Sequence, residues 1–266
     1  MIDTAKHDAW SAGDSYEHYM GRWSNKIALE FFRWLEAPEH IEWLEIGCGT
    51  GALSRAILEN CAPRSLIGIE PSEGFAEHAR TTIADQRARF EIAKAEELPL
   101  EDNSVVIATS ALVLNFIPDK SLALAEMKRV TRSGGIVSFY VWNYPGGGVD
   151  FIDEFWKAAG ELDEDSVELD ESKRFPFCTP DGLLELCAGA GLSDAEVAAI
   201  EIPTYFDTFA DFLHPFTLGA GPAPSYFVSL TQTQKEQLQE ILKKNIGADG
   251  PIQLAARAWA VKVINP

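Results

Sequence analysis

The sequence predicts an α/β fold built on a mainly parallel sheet with helices on both faces. Three observations carry that prediction. Strand-like and helix-like segments alternate through the first two-thirds of the chain. The connections between them are short. The first strand runs into a glycine-rich bend, Gly47-Cys48-Gly49-Thr50-Gly51, that opens a helix. At 266 residues the chain is long enough to bury the core of one such domain.

Taken in order, residues 15–35 are helical in character and rich in aromatics, with Tyr16, Tyr19, Trp23, Phe31, Phe32 and Trp34. Residues 43–46 form a short apolar run that reads as the first strand, followed by a helix to Asn60. Residues 65–69, 89–93 and 105–109 read as the next three strands, with a helix over 74–83 between the first two of these. A helix over 122–130, stopped by Ser133-Gly134-Gly135, precedes a fifth strand over 136–142. The acidic stretch 161–171 reads as a solvated loop or helix face. Thr179-Pro180-Asp181 has the form of an N-cap with proline in the first turn, and its helix runs to Gly189. Residues 196–204 alternate as a strand, 231–245 are an amphipathic helix with Leu238, Ile241 and Leu242 on one side, and 252–264 are a final strand.

Composition narrows the function classes. Hydrophobic residues are 46% and charged residues 24% of the chain, values typical of soluble globular proteins. The 22 basic against 41 acidic side chains give a formal charge of −19. Phosphate backbones and anionic lipid surfaces repel such a protein, so neither a nucleic acid nor a membrane is expected as partner. Cys48, Cys61, Cys178 and Cys187 contain no C-x-x-C pair, so neither a metal site nor a disulfide framework is expected. Residues 1–20 have no apolar core, which implies no signal peptide and a cytoplasmic location. Oligomeric state is not legible in the chain.

The chemistry concentrates around the bend. A strand feeding a glycine turn and then a helix lets a ligand approach the backbone closely, because no Cβ stands in the way. Glu70 ends the next strand, where a carboxylate accepts hydrogen bonds from both hydroxyls of an adenosine ribose. Gly47-x-Gly49-x-x-Ala52 also fits the dinucleotide fingerprint, so a nicotinamide-dependent oxidoreductase is the alternative, although no Tyr-x-x-x-Lys pair is visible. Glu45 tips the balance, since a carboxylate beside the bend disfavours a pyrophosphate and tolerates an ammonium group.

With Glu45-x-Gly47-x-Gly49-x-Gly51, the segment 93–104 and the segment 126–135 together, the chain resembles the class I S-adenosylmethionine-dependent methyltransferases. In particular it resembles the branch that includes the ubiquinone and menaquinone biosynthesis enzymes and many small-molecule methyltransferases. The resemblance implies a Rossmann-like fold with a mainly parallel seven-stranded sheet and a lid insert. It implies a single methyltransferase domain over 1–266, with an N-terminal helical cover at 1–36, a core at 37–202 and 252–266, and the lid at 203–251.

The resemblance also implies a cofactor, S-adenosyl-L-methionine, and a small-molecule acceptor methylated on oxygen, nitrogen or carbon. Glu45, Gly47, Cys48, Gly49 and Gly51 would surround the methionine part of the cofactor, Glu70 the ribose and Pro71 the adenine. Ala95 and Glu96 would meet the adenine edge, and Ser110 would lie in the turn facing the methyl group. Tyr16, Tyr19 and Arg22 belong to a segment that covers the cofactor in related enzymes, with Arg22 available for the methionine carboxylate. The chain departs from the family pattern at Lys94, Val106 and Ser133, none of which touches the bend or Glu70.

No catalytic residue is assigned. His18 and His214 are the candidates for a general base, and a base is required only if the acceptor must lose a proton early. Trp142, Tyr144, Phe212 and Phe216 are candidates for the walls of an acceptor pocket. A module that binds the cofactor without turnover is the third functional reading.

Overall fold

The computed structural model describes residues 17–219, 221–247 and 249–266. Tyr16 lies outside them. Seven strands, β1 (Glu42–Ile46), β2 (Ser65–Ile69), β3 (Ala88–Glu91), β4 (Val105–Ala111), β5 (Thr131–Trp142), β6 (Glu196–Phe206) and β7 (Ile252–Ile264), form one sheet. Their order is β3-β2-β1-β4-β5-β7-β6. Pairing is parallel from β3 through β2, β1 and β4 to β5, and β7 runs antiparallel to β5. This is the mainly parallel, seven-stranded sheet that the sequence predicts.

The inner strands read as continuous apolar runs because both their faces are covered. In β1 the residues from Trp43 to Ile46 are all buried. α1 (Arg22–Leu35) precedes the sheet; α2 (Ala52–Asn60) and α3 (Glu73–Thr82) follow β1 and β2, and α4 (Lys120–Val130) follows β4 after a 3-10 turn. Ser72 caps α3 by accepting from Phe75 N, and Asp119 caps α4 by accepting from Leu122 N at 2.9 Å. Crossovers between parallel strands are right-handed. The order runs outward in one direction from β1 to β3 and in the other from β4 to β5. That handedness therefore places α2 and α3 on one face and α4 on the other. The reversal lies between β1 and β4, and ligands of open α/β sheets bind at such a switch, outside the carboxyl ends of the strands.

Several boundaries differ from the sequence reading by a few residues, and two of the differences have a visible local reason. β4 continues two residues beyond Thr109, since Ser110 and Ala111 stay in register with Phe139 and Tyr140. Ser133-Gly134-Gly135 belongs to β5 and is not a separate turn. Asn265 draws it into the sheet: Gly134 N donates to Asn265 O at 2.9 Å and Asn265 N to Gly135 O at 2.8 Å. The register shifts between Val105 and Ile107 to absorb the extra residues.

The loop between β3 and β4 is pinned by one side chain. Arg129 donates to Glu126 Oε1 at 2.6 Å, Asp102 Oδ1 at 2.8 Å, and the carbonyls of Leu98 and Leu100 at 3.1 and 2.8 Å. Glu126 in turn accepts from Leu98 N at 2.8 Å. A planar five-donor fork suits this task better than an ammonium would.

The chain divides into two compact units. One contains Ser24–Trp142, Phe177–Ile200 and Ala258–Pro266; the other contains Asn143–Pro176, Glu201–Arg257 and the described residues up to Trp23. The second of these is built on aromatic packing. Phe155 stacks on Phe216 with ring centroids 4.5 Å apart, Tyr19 meets Phe216 edge-on at 5.6 Å, and Phe206 meets Phe212 at 5.1 Å. Its helices include α5 (Asp150–Leu162), α6 (Glu171–Arg174), α8 (Phe209–Leu213), α9 (Pro222–Ser229) and α10 (Gln232–Ile246), α7 (Pro180–Gly189) belonging to the other unit. Thr231 and Gln234 make a capping box at the start of α10, and Leu238 and Leu242 are its buried residues.

The acidic stretch 161–171 corrects one expectation. Its last member, Glu171, is not on a solvated face but 2% exposed, and its Oε2 accepts from Trp156 Nε1. Burial pushes its pKa up to about 8, with its own backbone N–H and the Trp156 indole working against the rise. A charge run read from sequence does not show which member turns inward.

Candidate functional site

The glycine bend is held from below by β2. Gly47 N and Cys48 N both donate to Ile69 O, at 2.8 and 3.0 Å, so the chain leaving β1 is drawn over the end of its neighbour. Gly47 has φ 69° and Gly49 φ 54°, a left-handed backbone that side chains other than glycine adopt only with strain. The two differ in what surrounds them. A Cβ at Gly47 would meet Val113 Cγ1 at 2.4 Å, whereas one at Gly49 would meet nothing within 4 Å. Gly47 is therefore required by a neighbour, and Gly49 by its conformation and by whatever approaches it.

Glu70 closes the bend. Its Oε2 accepts from Gly49 N at 3.0 Å and its Oε1 from Ser72 N at 3.0 Å, and the residue is 7% exposed. Burial raises its pKa, and the two backbone N–H groups oppose that rise. Each carboxylate oxygen keeps a further lone pair for a ligand.

Glu45 lies deeper, 1% exposed in β1, and accepts from the Ser54 hydroxyl. Burial is the largest influence on it and pushes its pKa up to about 8; the Ser54 hydrogen bond lowers it, Glu70 raises it and Arg55 lowers it. The same burial, with Glu45 and Glu70 adding to it, drives the Cys48 thiol far upward, so the sulfur stays protonated and is no nucleophile.

The other expected residues divide between the two units. Pro71 follows Glu70 and is exposed; Ala95 is buried and Glu96 half-buried in the loop after β3, in the same unit as the bend. Ser110 is 1% exposed and its hydroxyl donates to Ile46 O at 3.0 Å, tying β4 to the strand that enters the bend. Trp142 ends β5, also in this unit, at 1% exposure. Tyr19, Arg22, Tyr144, Phe212, Phe216, His18 and His214 lie in the other unit.

In that other unit, Arg22 already faces a carboxylate. Its Nη1 donates to Asp211 Oδ1 at 3.1 Å, and its guanidinium lies 4.4 Å from the Trp23 ring centroid and 4.5 Å from that of Phe206. Tyr19 is 2% exposed, and burial, then Glu171, raises the pKa of its phenol. Phe212 and Phe216 are packed core residues at 0% and 1% exposure, and Tyr144 lies against Phe175 at 5.7 Å. His214 is exposed. His18 falls in a π-helical turn, Glu17–Gly21. Among the described residues, no group of three or more His, Cys, Asp or Glu side chains is arranged to hold a metal ion. No helix among them is long and apolar enough to cross a membrane.

Sequence reasoning missed Asn115, which sits just past β4 in a single 3-10 turn, Leu114–Phe116, and is 3% exposed. A signal was present, since Asn115 is the one polar residue in the apolar run 111–117.

This arrangement can be set beside known proteins. Residues 44–139 match the family model described as Methyltransferase domain. The match spans β1 to β5, and so contains the bend, Glu70, Ser110 and Asn115. A malonyl-[acyl-carrier protein] O-methyltransferase of Serratia marcescens is 35% identical over 96 residues, 36% of each chain. An uncharacterized methyltransferase of Mycobacterium avium is 36% identical over 107 residues, 40% of this chain and 42% of that protein. The chain thus spans less than half the length of these curated relatives. Among solved structures, a phosphoethanolamine N-methyltransferase of Haemonchus contortus, in complex with phosphomonomethylethanolamine and S-adenosylhomocysteine, superposes with a TM-score of 0.59 at 17% identity. That superposition covers 95% of this chain and 57% of the other. The fold is the Rossmann-like fold of the methyltransferases.

Two expectations follow from the geometry. Gly49→Ala should cost about 1–2 kcal/mol in denaturant unfolding, the strain of a left-handed non-glycine residue. Gly47→Ala should cost clearly more, because all three branch atoms of Val113 must also move. The second expectation concerns pH. Glu45 has a folded pKa of about 8 against an unfolded value near 4.5, so the native state binds more protons between them. Its contribution to stability is complete below the lower value and is lost as pH rises through the upper one. Melting temperatures measured from about pH 5 to about pH 8.5 should fall, and Glu45→Gln should make that fall shallower; Glu171 keeps some slope in the variant.

Proposed function

We propose that this protein is an S-adenosylmethionine-dependent methyltransferase acting on a small molecule. The observation that carries the reading is the joint arrangement of the glycine bend and Glu70: three left-handed glycines, Gly47, Gly49 and Gly51, open the backbone to a ligand, and the Glu70 carboxylate is hydrogen-bonded to Gly49 N within the bend. The bound cofactor supplies a methyl group on a positively charged sulfur.

The residues fit that group. Glu70 would accept from the ribose hydroxyls with the lone pairs its backbone partners leave. Glu45 and Glu70 make the surroundings of the bend acidic, which favours a sulfonium and an ammonium and disfavours a pyrophosphate. A cation there would also favour the ionised form of Glu45 over its protonated form. Ala95 and Glu96, Pro71 and Ser110 would complete the donor site. Pinned by Arg129, the loop after β3 is presented in one conformation, which lowers the cost of ordering it on binding.

The chain's task in the reaction is alignment. Transfer needs the acceptor atom about 3 Å from the methyl carbon and in line with the breaking carbon–sulfur bond. With the cofactor bound, the acceptor's lone pair would form the new bond, the electron pair of the old one would stay on sulfur, and any proton the acceptor loses would pass to water. One methyltransferase domain with residues 203–251 as an insert, a cytoplasmic setting and the quinone-biosynthesis-like branch complete the reading. The two relatives named by acceptor differ in it, one an O-methyltransferase and one an N-methyltransferase.

Titration calorimetry separates this reading from the nicotinamide alternative. S-adenosylhomocysteine should bind and the reduced dinucleotide should not, and Glu70→Ala should weaken the former at least tenfold. Dinucleotide binding with no response to S-adenosylhomocysteine would defeat the proposal.

A further inference from the structure

Among the buried side chains of the unit that carries the bend, Asn115 stands apart. Both its amide nitrogen and its amide oxygen are without a hydrogen-bond partner among the described residues, at 3% exposure. Buried polar groups are normally paired, and a carboxamide with neither end satisfied calls for an explanation. Its position supplies one. The turn that carries it leaves the carboxyl end of β4, beside the switch between β1 and β4.

The path into that turn is also specific. Leu112 has φ 58°, a strained conformation for a branched side chain, and its N–H donates to Tyr140 O at 2.8 Å. The next residue, Val113, is the one that packs against Gly47, within 2.4 Å of where a Cβ would stand. The strained residue Leu112 thus leads directly into Val113, which packs against Gly47, and the buried Asn115 amide follows two residues later.

We infer that the Asn115 carboxamide is the group that binds the methyl acceptor, and that it selects an uncharged acceptor presenting a hydrogen-bond donor and acceptor side by side. The inference rests on the methyl-transfer reading and names the substrate class for it. A carboxamide offers one donor edge and one acceptor edge, so its complement is a lactam, an amide, a protonated carboxylic acid or a hydroxyl beside a carbonyl. The methionine end of the cofactor is a poorer match: its ammonium and carboxylate are both charged, and a neutral amide leaves buried charge uncompensated. Asn115 has no titratable proton, so it orients the acceptor and does not deprotonate it. A site built to pair both edges of a ligand rejects analogues that lack them, because its own polar atoms are then left unpaired.

The test uses the full chain saturated with S-adenosylhomocysteine and labelled with nitrogen-15, the Asn115 side-chain resonances being those lost in Asn115→Leu. The probes are 2-pyridone and benzamide, which carry the paired edge, with toluene and phenylethylammonium as controls. We expect the Asn115 amide signals to shift saturably with the first two and not with the controls. We also expect Asn115→Leu to weaken 2-pyridone at least tenfold while S-adenosylhomocysteine affinity stays within twofold. A tenfold loss of S-adenosylhomocysteine affinity in the variant would assign the amide to the donor and overturn the proposal. Signals that respond to none of the edge-bearing probes, or equally to the ammonium, would overturn it too; Asn115→Asp serves for the assignment should Asn115→Leu not fold. Failure of the unmodified protein to bind S-adenosylhomocysteine defeats the methyl-transfer reading itself, and this one with it.

Discussion

The hydrogen bond from Gly49 N to Glu70 is the contact on which the candidate site depends. It joins the ends of two adjacent parallel strands through a backbone that glycine alone adopts without strain. Ile69 O, one residue before Glu70, takes the two preceding amides, so three N–H groups of the bend are paired with the end of β2. Without these acceptors the bend would leave buried donors unsatisfied, and its left-handed residues would have no reason to persist. A carboxylate that already shapes the backbone is also pre-organised for a ligand's hydroxyls, which removes part of the cost of binding them.

Much of this was legible in the chain. The alternation of apolar runs and helical segments marks the parallel sheet, and the glycine spacing marks the bend, because both patterns express backbone requirements that local sequence alone must meet. Glu70 was legible for the same reason, being the acid that directly ends the second strand. What was not legible depends on distant contacts. Ser133-Gly134-Gly135 reads as a turn, yet pairing with Asn265, more than a hundred positions away, makes it strand. Glu171 sits in an acidic run with nothing in its neighbours to mark it as the member that meets Trp156. Arg22 has the surroundings of a ligand-binding arginine, and only the fold reveals Asp211 beside it.

Burial sets the electrostatics. The formal charge of −19 counts every carboxylate as ionised, whereas burial pushes the pKa of Glu45 and of Glu171 up to about 8. Formal charge alone would count Glu45 as a fixed anion. Its environment makes it instead a group whose ionisation responds to a neighbouring cation. Asn115 adds an uncharged polar group at the same end of the sheet, so the two sides of the candidate reaction differ in kind: acids around the donor, a neutral amide for the acceptor.

The most direct test of the central claim is a crystal structure with S-adenosylhomocysteine bound. The account predicts the ribose hydroxyls on the Glu70 carboxylate, the amino-acid end over residues 47–51, and the Gly49–Glu70 hydrogen bond preserved. Density for the ligand elsewhere, or a bend that must unfold from Glu70 to admit it, would contradict the account.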